Sequence, residues 1–152
     1  MRSEVIEAIN ALCEELHDRY SLNAGGCCYC ASVLARELEA LGIKYKLVIY
    51  DYDTKGASSL AVRRDIKNRN KRSDYSDIMF CGSHYAIMLS SGELLNASEY
   101  HGNYPYMTVG CLNSRHIKWM YDEGDWNMRY DPKYNSIVAK RVKQLFKQYA
   151  EL

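Results

Sequence analysis

Apolar positions recur along the chain with two different periods. In 3–20, Val5, Ile9, Leu12 and Leu16 follow helical spacing, while Glu4, Glu7, Glu14 and Glu15 occupy other faces. This predicts an amphipathic helix with Ser3 as N-cap. Asn23 and the pair Gly25-Gly26 then supply turn chemistry. A second helix is predicted over 27–41, where Cys27, Ala31, Leu34, Leu38 and Leu41 step by four and three, and Gly42 closes it at C′. Tyr45-Lys46-Leu47-Val48-Ile49-Tyr50 is rich in β-formers and reads as a strand.

Further on, 78–89 reads as a strand, Ser90-Ser91-Gly92 as a turn and 93–97 as the returning strand. In that hairpin His84 falls roughly opposite positions 97–99, which makes Asn96 its neighbour. Two more strands are predicted over 106–112 and 116–121. A closing amphipathic helix is predicted over 134–149, with Val138, Val142, Leu145 and Tyr149 on its apolar stripe. Helices at both ends with strands between them imply an α+β domain.

The length of 152 residues matches one domain, expected to span 1–152. Its 47% hydrophobic and 26% charged residues are ordinary for a globular chain and exclude wholesale disorder. No apolar run reaches the roughly 18 residues of a membrane helix. Met1-Arg2-Ser3-Glu4 leads into a charged stretch rather than a secretory leader core. An intracellular, cytoplasmic chain without a membrane contact is therefore expected. The formal net charge of +1 excludes a globally basic nucleic-acid binder, but it conceals opposed blocks. In 61–73, Arg63, Arg64, Lys67, Arg69, Lys71 and Arg72 face a single acid, Asp65. A solvated surface is the plain reading of that block. An acidic partner at Arg63, Arg64, Lys67 and Arg69 is the functional one.

Six cysteines in a chain expected to carry no leader point to metal, catalysis or packing before disulfides. In Asn23-Ala24-Gly25-Gly26-Cys27-Cys28-Tyr29-Cys30, a thiol opens a helix. Unpaired N–H groups and the helix dipole at that end favour the thiolate. The preceding glycines permit a sharp turn and close approach of a substrate, and the N–H groups of the turn can receive an oxyanion. Among the three thiols Cys27 comes first and lies on the core-facing stripe. The plainer reading is small core residues at a helix entry. A nucleophilic thiol needs a base, and the base needs an orienting group. His84 opens an apolar strand, and Asn96 interrupts the next one, where a buried amide needs a partner. The geometry of this hairpin lets an Asn96 carbonyl oxygen accept from the His84 imidazole.

Gly25-Gly26-Cys27, Ala31 and Ala40-Leu41-Gly42-Ile43, followed by a strand, a His-led strand and a polar residue on the next, resemble the core of transglutaminase-like proteins. That resemblance implies a papain-like cysteine-peptidase fold, with the catalytic helix packed on an antiparallel sheet. It also implies Cys27 as nucleophile, His84 as general base and acid, and Asn96 as orienter. Asn96 stands where transglutaminases usually carry Asp, so the triad is closer to papain's Cys-His-Asn. Ala86 and Lys44 replace the usual Trp and Pro. No Gln precedes Cys27, leaving Asn23, Gly26 and Cys27 as oxyanion and substrate-binding candidates. The implied activity is thiol-dependent hydrolysis of an amide or peptide bond without a cofactor. Acyl transfer, as in a transglutaminase, is the alternative on the same triad.

Two readings of other classes remain open. Cys27-x-x-Cys30 and Cys81-x-x-His84 form two pairs with zinc-ligand spacing. A non-enzymatic binding module would use the basic stretch 61–73, although no aromatic is interleaved there.

Overall fold

The computed structural model describes residues 1–22, 26–50, 84–97, 106–110 and 132–149. Among the described residues, three helices and a four-stranded sheet make an α+β fold. In chain order they are α1 (Ser3–Tyr20), α2 (Cys27–Ala40), β1 (Tyr45–Tyr50), β2 (His84–Leu89), β3 (Leu94–Leu95) and β4 (Tyr106–Gly110). A 3₁₀ turn at Pro132–Tyr134 then leads into α3 (Asn135–Gln148). The sheet order is β3-β2-β1-β4, and every neighbouring pair is antiparallel.

Alternation along the strands divides two faces. Leu47, Tyr85, Ile87, Leu89 and Leu95 join the core built with the three helices. Val48, Tyr50, Ala86 and Ala97 form a second apolar cluster, with Met88 and Leu94 packed on it. His84 lies opposite Tyr50 in the β1–β2 register, with ring centroids 6.2 Å apart.

The core helix α2 is buried around its whole circumference for most of its length, from Cys27 to Ala35. Its single predicted stripe was therefore too narrow, because both the sheet and α3 pack on it. The end of α2 is as expected. Gly42, at φ 70°, takes the left-handed C′ position; Ile43 N–H reaches Leu38 O at 2.9 Å and Gly42 N–H reaches Glu39 O at 3.0 Å. Leu41, expected on the core stripe, is exposed.

Other boundaries moved. Arg2 is the N-cap of α1, and Ser3 is its first helical residue. The buried stripe of α3 is Val138, Ala139, Val142 and Phe146; Leu145 and Tyr149 lie at its margin. β3 is only two residues long because Asn96 turns out of the strand with φ 63°. The hairpin register, Ile87 opposite Leu95 and Met88 opposite Leu94, is the one expected for a turn at Ser91-Gly92.

Residues 78–83, the strand expected at 116–121 and the basic stretch 61–73 with Arg63, Arg64, Lys67 and Arg69 lie outside the described residues. Among the described residues no helix is long and apolar enough to cross a membrane.

Candidate functional site: a thiol, two histidines and a shared asparagine

The site forms where the N-terminus of α2, the start of β2 and the end of β3 meet under α1. Cys27 is the first residue of α2, and the three thiols of this turn differ in access. Cys27 is 7% exposed, whereas Cys28 and Cys30 are 0% exposed. The Cys27 sulfur receives the Tyr85 N–H, which belongs to the peptide joining His84 to Tyr85. The N–H groups of Cys27 and Cys28 also bear on it, as expected at a helix start. Burial outweighs these donors and pushes the thiol up to about 11. Cys27 is therefore a protonated thiol at neutral pH, not a resting thiolate.

Gly26, the residue before it, has φ −93° in the ordinary right-handed region. A left-handed turn at this glycine is thus not what opens the helix. Asn23 and Gly25 lie outside the described residues.

His84 is fully buried. Its Nε2 lies 2.5 Å from the main-chain carbonyl oxygen of Asn96. A carbonyl only accepts, so Nε2 carries the proton and Nδ1 is the basic atom of the neutral ring. Burial lowers the His84 pKa to about 4, the Asn96 carbonyl opposes that shift, and the nearby His17 lowers it further.

Asn96 does supply His84 with a carbonyl acceptor, and the structure shows that it is the main-chain carbonyl and not the carboxamide. Its side-chain Oδ1 takes the Nε2 of His17 at 2.7 Å, and its Nδ2 donates to Tyr85 O at 3.0 Å. The main chain at Asn96 serves His84 instead. The reason is the left-handed backbone, which turns the carbonyl back toward β2 and the side chain toward α1.

His17, a candidate base by residue type that the sequence ranks behind His84, is buried on α1, its ring centroid 6.1 Å from that of His84. Burial lowers its pKa, while Asn96 Oδ1, Asp18 and Glu14 pull the other way. Its Nδ1 has no hydrogen-bond partner among the described residues. The available signal was spacing: Asn10 and His17 stand seven residues apart, on one helix face. Asn10 uses its carboxamide as a surrogate strand. Its Nδ2 donates to Leu94 O at 2.9 Å, and its Oδ1 accepts from Asn96 N–H at 3.0 Å. All four polar groups of Asn96 are thereby satisfied.

The proposed zinc ligands do not assemble among the described residues. Cys81 lies outside them, and the Cys30 thiol is hydrogen-bonded to Cys13, which with burial holds its pKa well above the ordinary thiol range. No group of three or more His, Cys, Asp or Glu is placed to hold a metal ion among the described residues.

A scan against protein families, a search of curated proteins and a search of solved structures each returned no match. The chemistry of the site therefore rests on its own geometry.

Proposed function

We propose that the chain is a thiol-dependent acyl-transfer enzyme of papain-like architecture, with Cys27 as nucleophile and His84 as general base and acid. One observation carries this reading. The sulfur at the start of α2 meets the peptide that follows His84, and the His84 ring is oriented through Nε2 by Asn96.

With both groups neutral at rest, the proton moves during attack. His84 Nδ1 takes the Cys27 proton as the sulfur bonds to the substrate carbonyl carbon, and the C=O π pair moves onto oxygen. The helix-start N–H groups of Cys27 and Cys28 are the donors on hand for that oxyanion. Collapse expels the amine, which takes the proton from His84 and leaves a thioester. Water then releases the acid by the reverse proton path, which is hydrolysis of an amide or peptide bond. A second amine in place of water gives acyl transfer.

The burial of Cys27 favours a second reading, in which the cluster is a polar support of the core and carries no chemistry. Acylation separates the two. The chain is treated with p-nitrophenyl acetate, and its intact mass is followed with and without hydroxylamine, which cleaves thioesters. The enzyme reading expects one labile acetyl group, absent in Cys27→Ala and formed about 100-fold more slowly in His84→Ala. Acetylation spread over several thiols, or unchanged in His84→Ala, would overturn it.

A further inference from the structure

We infer that His17 is a positioning residue, which holds the His84 imidazole in its working orientation through Asn96. The inference deepens the reading of Cys27 and His84 as a catalytic pair and rests on it. The two histidines take hydrogen-bond acceptors from the same residue, His17 through the side chain and His84 through the main chain.

That division matters because Asn96 sits at φ 63°, a left-handed conformation that asparagine tolerates better than most L-residues and that local hydrogen bonds support. Three contacts fix it there. Asn10 grips its N–H, Tyr85 O grips its Nδ2, and His17 grips its Oδ1. The last contact sets the rotation of the carboxamide, because Nδ2 then faces Tyr85. Rotation of this residue toward the extended region would swing its carbonyl off His84. The His84 ring would then lose the acceptor that keeps the proton on Nε2 and the lone pair on Nδ1. Among the described residues, the titratable groups around the pair include Glu14 and Asp18 on α1, Tyr50 on β1 and Cys27 at the start of α2.

The test uses the full chain with two substitutions that differ in reach. His17→Gln can place an amide N–H near the position of the lost Nε2–H, and His17→Asn is too short. Ring ¹⁵N–¹H spectra report the His84 tautomer, and p-nitrophenyl acetate reports acylation of Cys27. In His17→Asn the His84 Nε2–H signal is expected to broaden or vanish. Cys27 acylation should fall about tenfold, the equivalent of one buried hydrogen bond. His17→Gln should restore the signal and most of the rate. An unchanged His84 ring signal in His17→Asn, or a loss that His17→Gln fails to restore, would overturn the inference.

The unsubstituted protein provides a check independent of variant folding. Both rings are expected as the neutral Nε2–H tautomer at pH 7, and an Nδ1–H tautomer for His17 would overturn the inference. Failure of the enzyme reading looks different: Cys27 is then not acylated in the unsubstituted chain, while the His84 ring still responds to His17→Asn.

Discussion

The Nε2–H of His84 donates to the main-chain oxygen of Asn96 at 2.5 Å, while the side chain of the same asparagine is held by His17 at 2.7 Å. A main-chain acceptor cannot be removed by substitution. It can only be moved by changing the backbone that carries it. This makes the conformation of Asn96 the sensitive variable of the site, more than the chemistry of its side chain.

Asn96 is therefore best tested by a pair of substitutions. Asn96→Gly keeps access to φ 63° and loses the contacts to His17 and Tyr85; Asn96→Ala loses both and adds left-handed strain. Each lost buried contact costs roughly 1–3 kcal/mol, and the strain adds about 1–2 kcal/mol for Ala. Urea unfolding should rank the unsubstituted chain above Asn96→Gly, and Asn96→Gly above Asn96→Ala. Equal stability of the two variants would show that the left-handed turn carries no strain.

Acid should destabilise the fold through its buried histidines. His84 falls to about 4 in the folded chain from an ordinary 6.5. The unfolded chain therefore binds its proton first as pH falls. The stability is complete above about 6.5 and is lost as pH drops toward 4, on the order of 3 kcal/mol for this ring. His17, also lowered, acts in the same direction. Urea midpoints measured from pH 7.5 to 4 should decline over this window, and less steeply in His84→Gln. A flat profile would contradict neutral burial of the two rings.

Cys27 should behave as a reluctant thiolate toward simple alkylators. Burial holds it at about 11, above the ordinary thiol range. Iodoacetamide labelling of the native chain should then climb about tenfold per pH unit between 7 and 9, with no plateau on the acid side. Peptide mapping assigns the label. A rapid, pH-independent rate near pH 6 would mean that a thiolate–imidazolium pair forms despite the burial.

Among the described residues, the side chain of Asn10 holds the edge of β3. Asn10 serves both Leu94 O and Asn96 N–H, much as a neighbouring strand would. Asn10→Ala should cost about 1–3 kcal/mol. It should also speed amide exchange at Asn96 far more than at Ile87, which lies inside the β2–β3 pair. Equal protection of Asn96 in both proteins would remove this role.

Local patterning was enough to place the helices, the strand Tyr45–Tyr50, the left-handed stop at Gly42 and the hairpin register around Ser91-Gly92. Each follows from periodicity or from a residue whose backbone preference acts over a few neighbours. Cys27, His84 and Asn96 were also legible as candidates, since a thiol at a helix start and polar residues in apolar strands stand out locally.

What tertiary structure alone decided was how those residues are joined. The short β3 and the turn at Asn96 gave its main-chain carbonyl to His84 and its carboxamide to His17 and Tyr85. The packing of α1 brought in Asn10 and His17, more than 70 positions away in the chain. Burial reversed the expected ionisation of Cys27, because desolvation by the assembled core outweighs the few N–H groups that a helix start can offer. A local pattern carries the identity of these groups, and only the assembled core sets their solvent and their partners.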